Sequence, residues 1–297
     1  MPKVDVIITT YRRPLNIVIR AVESVIKQTE NNINILVIDD SGKDYDNSPL
    51  ALFIEKLKDE RVKYYKLQEN RGACYARNYG ASVASSPFIA FLDDDDEWMA
   101  DKLEKQLKII EKSDTTGIVF SGLMRYYDSN NKTTIAKIKN CNPAIEDLLR
   151  NGNVIGTTSS ALLRREAYEK SGKFDVEMPS LQDYDLWTRI LLAGYKAIGI
   201  DQPLVRYHIS NFDRISSNTL KKLNGWERMY QKNNVNISKD TRSKGMFCRE
   251  LSFYNFCEKK YKKSIKYLLT AIIKDPLNIY NNCKTFYKIM FKRYSQI

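Results

Sequence analysis

Four stretches of the chain, VDVIITT (4–10), NILVIDD (34–40), VKYYKL (62–67) and FIAFLDD (88–94), run near-continuously apolar up to a polar terminus. That pattern predicts strands buried on both faces. Helical patterns lie between them at about 14–28, 48–58 and 72–84, and a further one follows at 99–111. Strand alternating with helix predicts an α/β architecture, a mostly parallel sheet with right-handed crossovers. Ligands of such sheets bind outside the carboxyl ends of the strands, and the polar residues collect there. Thr9, Thr10 and Tyr11 close the first strand, Asp39 and Asp40 the second, and Asp93 to Asp96 the fourth.

After a last strand expected at 204–209 the pattern turns helical and basic. In YKKSIKYLLTAIIKDPLN (261–278), Ile265, Leu268, Leu269, Ile272 and Ile273 share one face, Lys262, Lys263 and Lys266 lie elsewhere, and Asp275-Pro276 ends the helix. With a partner helix at 249–259 it reads as one tetratricopeptide-like helix pair. A single pair cannot build a solenoid. Its apolar face is therefore expected to pack on the preceding domain, on a second copy to give a homodimer, or on a membrane. The expected organisation is an α/β domain at 1–217 and a basic helical region at 218–297.

The 297 residues, 43% of them hydrophobic, can bury a sizeable core. No apolar run approaches the roughly 20 residues that span a bilayer, and the start MPKVDVIITTYRRP lacks the apolar region of a signal peptide. A cytoplasmic location is expected. Five cysteines, widely spaced and without a CxxC pair, imply neither a disulfide framework nor a zinc site. The net charge of +12 is uneven: residues 244–293 hold twelve Lys and Arg against three acids. The basic residues are not interleaved with an RNA-binding aromatic motif and the predicted cleft is acidic, so nucleic acid is not the expected partner.

Consecutive carboxylates repel unless a cation lies among them, and hard oxygen ligands suit Mg2+ or Mn2+. Asp93 to Asp96 at a buried strand end therefore reads as half of a metal-diphosphate site, against the simpler reading of a solvated turn opening a helix. ENRGACYARNYG (69–80) supplies the counterpart. Gly72 lets the chain turn into a helix, Ala73, Ala76, Gly80 and Ala84 let that helix lie close to the sheet, and Arg71 and Arg77 can face phosphates near its N-terminus. Neither GxGxxG nor GxxxxGK[ST] occurs. In QDYDLWTRILLAG, Leu186, Ile190 and Ala193 form a buried stripe, and Asp183 lies at the helix start, as a cap or as a group projecting into the cleft. His208, the single histidine, follows the strand-like PLVRY.

VIITTYRRP, VIDDSG, NRGACYARNYG, FLDDDDEW, SALLRREAYEKSGKFD and QDYDLWTRI occur in the order and at about the spacing of family 2 glycosyltransferases, and the chain resembles that family over roughly residues 1–210. The resemblance implies the GT-A fold, a Rossmann-like mixed, mostly parallel sheet flanked by helices, here with a C-terminal helical appendage. It implies inverting transfer from a nucleotide sugar, a UDP-sugar, to a hydroxyl of a saccharide acceptor, lipid-linked, in surface polysaccharide or glycan assembly. Thr9, Tyr11 and Asp40 would line the uracil pocket, and Asp94 would hold the ribose. Asp93, Arg13, Arg71 and Arg77 would complete the nucleotide site. Asp95, as last acid of a DxD-type motif, and His208 would approach Mn2+ or Mg2+. Arg206, Arg214 and Ser216 or Ser217 would assist the phosphates. Asp183 would be the general base, with Gln182 in place of the family's usual Glu. A polyprenyl-phosphate sugar synthase is the alternative enzyme, and a non-catalytic nucleotide-binding or scaffold protein the alternative outside catalysis. The basic tail would bring the protein to the inner membrane face through anionic lipid.

Overall fold

The structure, a computed structural model, describes residues 2–209 and 218–291. Arg214, Ser216 and Ser217 lie outside the described residues. In chain order the elements are β1 (Val4–Thr10), α1 (Leu15–Ile26), β2 (Ile33–Asp39), α2 (Ser48–Leu57), β3 (Val62–Lys66), α3 (Ala73–Ser82), β4 (Phe88–Asp93), β5 (Glu97–Trp98), α4 (Lys102–Ile110), β6 (Thr116–Tyr127), β7 (Lys132–Ala136) and α5 (Ile145–Asn151). A 3-10 turn (Thr158–Ser160), β8 (Ala161–Arg164), α6 (Arg165–Lys170), α7 (Gln182–Leu192) and β9 (Lys196–Ile209) follow. The chain ends in α8 (Thr219–Lys232), α9 (Asn234–Lys239), α10 (Thr241–Cys257), α11 (Tyr261–Lys274) and α12 (Ile279–Phe291). Within the described residues these form two compact units, one of 2–144, 154–176 and 183–209 and the other of 145–153, 177–182 and 218–291.

The first unit is built on one sheet of order β3-β2-β1-β4-β8-β6-β9-β5, with β7 paired to β6. The four strands read from the apolar runs form its parallel block, β3-β2-β1-β4. The rest is mixed: β8 is antiparallel to both β4 and β6, while β6 and β9 are parallel. Val18, Ala21, Val22 and Val25 of α1, at helical spacing, are buried against the Val and Ile side chains of β1 and β2. On α3 a Cβ added to Gly80 would come within 2.6 Å of Ile7 Cγ2, so glycine is what permits this approach to β1. Gly72 turns the chain into α3 at a φ of 84°, a left-handed conformation that glycine adopts without strain.

The motif around RREAYEKSGKFD holds the sheet's far end and reaches towards the site. Arg165 donates to Asp5 Oδ2 at 2.6 Å and to the carbonyls of Ser86 and Ala81. Within the same motif, the backbone of Phe174 exchanges hydrogen bonds with Asn78 of α3, and Tyr168 donates to Asn78 at 2.6 Å. Phe174 is thereby fixed edge-on to Phe91, with Arg77 across its ring at 5.3 Å.

In the second unit α10 is the hub, buried around most of its circumference and touching α5, α8, α9, α11 and α12. Its start is capped by Asp240, which accepts from Ser243 N and pairs with Arg150 of α5 at 2.9 Å. Helix α11 spans the residues its pattern predicted, but of its apolar stripe only Leu268, half-buried, borders the side that packs. Small residues make the contact: Ser264 and Ala271 are buried, and Ser252 of α10 donates to the Ser264 carbonyl at 2.9 Å. Small side chains allow the helix axes to approach, which turns Ile265, Leu269, Ile272 and Ile273 outward.

Candidate active site

Parallel register assembles the site before any side chain is considered. Thr9 pairs with Asp93 of β4, and Thr10 with Asp39 of β2, so the carboxyl ends of β1, β2 and β4 lie side by side. At the end of β2, Asp39 accepts from Tyr64 Oη at 2.6 Å and from Asn47 Nδ2 at 2.9 Å, which makes it a structural brace. Asp40 accepts the backbone N–H groups of Arg71 and Gly72, at 2.9 and 2.8 Å, and so orders the entry to α3. Burial raises its pKa despite these donors. Tyr11 is solvent-exposed, with the Arg12 guanidinium 5.3 Å from its ring centre. Arg71 lies half-exposed over the Tyr75 ring at 3.9 Å.

The acidic run is a tight turn closed by Asp96 N donating to Asp93 O at 3.1 Å, and the four carboxylates have four different surroundings. Asp93 accepts from the buried Arg77 at 2.7 Å and lies 3.3 Å from Thr158 Oγ1. Asp94 is buried and takes Arg13 Nε at 2.9 Å; burial pushes it up to about 6, against the pull of that arginine. Asp95, more accessible, meets Arg13 Nη2 at 3.3 Å, while its carbonyl accepts from Arg20 at 2.9 Å. Asp96 is fully buried, accepts from Ser159 Oγ at 2.7 Å, and is raised well above the carboxylate range by burial first and by Asp95 and Asp93 second. The negative charge that stands out in a basic chain is thus met locally by two arginines, Arg77 on Asp93 and Arg13 on Asp94 and Asp95.

Sequence reasoning missed the support beneath this turn. Ser159 both donates to Asp96 and accepts from Asp93 N at 3.2 Å, and its carbonyl accepts from Trp98 Nε1 at 2.8 Å. The only sequence signal was the small hydroxyl run GTTSS before β8, which carries no periodicity. His208 on β9 is buried, with Nε2 2.6 Å from Glu97 and Nδ1 2.9 Å from Asp128, so both ring nitrogens already face carboxylates. Arg206 is 3.6 Å from the same Glu97.

At the start of α7, Asp183 accepts the Tyr184 N–H at 2.8 Å and lies within the electrostatic reach of Arg77 and Asp93. The dense protein around this partly accessible carboxyl pushes it up to about 6. Asp185 two residues on is different: it is buried in an ion pair with Arg189 at 2.7 Å. The fold therefore brings Arg77, Asp93 and Asp183 into one electrostatic neighbourhood, with Arg13, from the segment between β1 and α1, paired to Asp94 and Asp95 of the same acidic turn.

Among the described residues no three His, Cys, Asp or Glu side chains are grouped to hold a metal ion by themselves. The donor chemistry still fits a hard divalent cation. Arg13 already places positive charge against Asp94 and Asp95, and Mg2+ or Mn2+ commonly uses one or two protein carboxylates with phosphate oxygens and water completing the shell.

The mixed sheet of this order, with an acidic turn closing β4, is the GT-A arrangement that the motifs implied. Residues 5–172 match the model of the family described as glycosyl transferase family 2, and the chain belongs to that family. It is 32% identical over 206 residues to TuaG of Bacillus subtilis (strain 168), a glycosyltransferase provisionally assigned to teichuronic acid biosynthesis, covering 67% of this chain and 76% of the relative. It is 30% identical over 227 residues to the UDP-Glc:alpha-D-GlcNAc-diphosphoundecaprenol beta-1,3-glucosyltransferase WfaP of Escherichia coli, covering 75% and 83%. To the amylovoran biosynthesis glycosyltransferase AmsB of Erwinia amylovora it is 28% identical over 210 residues, covering 69% of each.

Proposed function

We propose that this glycosyltransferase is inverting and metal-dependent, and moves a sugar from a UDP-sugar to a hydroxyl of a lipid-linked saccharide in surface polysaccharide assembly. The observation that carries the reading is the neighbourhood of Asp183, Arg77 and Asp93. At neutral pH a carboxyl with a pKa near 6 is ionised and still basic enough to take a proton. Asp183 accepts the acceptor hydroxyl proton as the oxygen bonds to the anomeric carbon. The bond from that carbon to the diphosphate oxygen breaks on the opposite face, and configuration inverts.

Thr9, Tyr11 and Asp40 hold the uracil and Asp94 the ribose, while Arg13, Arg71 and Arg77 supply positive charge to the diphosphate. Asp95 would hold Mg2+ or Mn2+ through one carboxylate, and the ion supplies charge that stabilises the leaving diphosphate. The name of WfaP, with its UDP-glucose donor and diphosphoundecaprenol-linked acceptor, supports this donor and acceptor class. Calorimetric titration with UDP tests the reading. Mn2+ should tighten binding at least tenfold over EDTA, and Asp95→Ala should abolish that gain while leaving thermal unfolding unchanged. Equal affinity in EDTA and in Mn2+ would remove the metal from the proposal.

A further inference from the structure

Among the described residues, nothing covers most of the apolar side of α11. Ile265, Leu269 and Ile273 are 58%, 56% and 72% exposed, and Tyr261 and Ile272 on the same side are also exposed. Helix α12 repeats the arrangement: Asn282, Thr285 and Ile289 are buried, while Ile279, Tyr280, Phe286 and Tyr287 face solvent. The turn joining the two helices carries Leu277 at 87% exposure. Exposed apolar side chains on this scale mark a contact surface. Among the described residues no helix is long and apolar enough to cross a membrane, so such a contact would lie along a bilayer surface rather than through it.

Charge selects the occupant. From Lys259 to Phe291 the sequence holds eight lysines and one acid, Asp275. That acid is itself buried and paired with Arg249 at 3.0 Å, so it offers nothing to a partner. Lys262, Lys263 and Lys266 are exposed and border the apolar side of α11. Two copies meeting through this face would press like charges together, whereas an anionic lipid surface complements them. Tyrosines and lysines at the margin of an apolar helix face suit the headgroup boundary, where ring and stem lie in the apolar layer and the polar tip stays wet.

We propose that α11 and α12 form a membrane-docking face whose apolar residues enter the headgroup boundary of an anionic bilayer, with the surrounding lysines on the lipid phosphates. None of these residues belongs to the proposed transfer site. The full chain should co-sediment with vesicles of phosphatidylcholine and phosphatidylglycerol and much less with phosphatidylcholine alone. I265Q/L269Q/I273Q changes only exposed positions and keeps helix propensity. It should weaken partitioning at least about tenfold with the melting temperature unchanged. K262Q/K263Q/K266Q should also weaken it and reduce its dependence on salt. The proposal is overturned if the parent ignores phosphatidylglycerol vesicles or if the apolar variant binds as the parent does. It is equally overturned if ultracentrifugation finds a dimer that the apolar variant dissolves, which would assign the face to a second copy.

Discussion

Strand β1 carries Asp5 near its amino end and reaches the acidic turn at its carboxyl end, and the two ends treat carboxylates differently. Asp5 is fully buried and saturated: it accepts from Ser86 N at 2.7 Å, Ser86 Oγ at 2.6 Å, Asn34 Nδ2 at 2.8 Å and Arg165 Nη2 at 2.6 Å. At the other end four carboxylates share one turn, two of them raised by burial, and Asp183 joins them with a pKa near 6. One end spends its polar groups on one another, which stabilises the sheet. The other gathers carboxylates that burial makes harder to ionise, and shifted carboxyls clustered in this way are a feature of functional sites.

Three measurements would sharpen or break that contrast. The largest effect is expected at the saturated end. Asp5→Ala leaves Arg165 beside a vacated carboxylate position and should cost about 3–5 kcal/mol in denaturant unfolding. A loss below about 1 kcal/mol would mean that the amino end is no more structural than the site. Next comes Asp183→Asn, nearly isosteric, which should reduce transfer to a hydroxyl acceptor by roughly 100-fold or more while UDP affinity is kept. Transfer within a few-fold of the parent would instead favour a phosphate acceptor, which needs no base.

The smallest effect concerns pH. Asp94 and Asp183 hold their protons more tightly in the fold than in the unfolded chain, so their contribution to stability is greatest below 3.8 and is lost as pH rises to about 6. Asp183→Asn cannot ionise. After discounting for its partial exposure, it should raise the melting temperature at pH 7 by about 2 °C relative to the parent and leave it unchanged at pH 4. A variant that melts lower at pH 7 would show that the ionised carboxyl is satisfied in the fold.

Strands β1, β2 and β4 were legible because buried parallel strands declare themselves by runs of apolar, mostly branched residues, whereas β3, an edge strand of sequence VKYYK, is only partly buried and not covered on both faces as its pattern was read; Gly72 and Gly80 declared the turn and the close approach of α3. Strands β6, β7 and β8 were not read. The stretch before Ala161 is a run of small hydroxyl residues, and β6 passes from fully buried to half-exposed along its length, so neither gives a single period. His208 shows a different limit: its position was evident, but its pairing with Glu97 and Asp128, distant in sequence, was not.

Local pattern by itself determined the strands of the parallel block and the helices between them, where the acids fall relative to those strand ends, and that a basic helical region follows. These depend on neighbours within a turn or two, and the sequence contains those neighbours. Tertiary structure decided which carboxylates are satisfied and which side of a helix is buried. Asp5 and Asp94 are the same residue type, yet only the fold gives one four donors and leaves the other near pH 6. In α11 the apolar stripe predicted burial, but the close contact with α10 went to Ser264 and Ala271, because axis separation is set by the smallest side chains available to both helices.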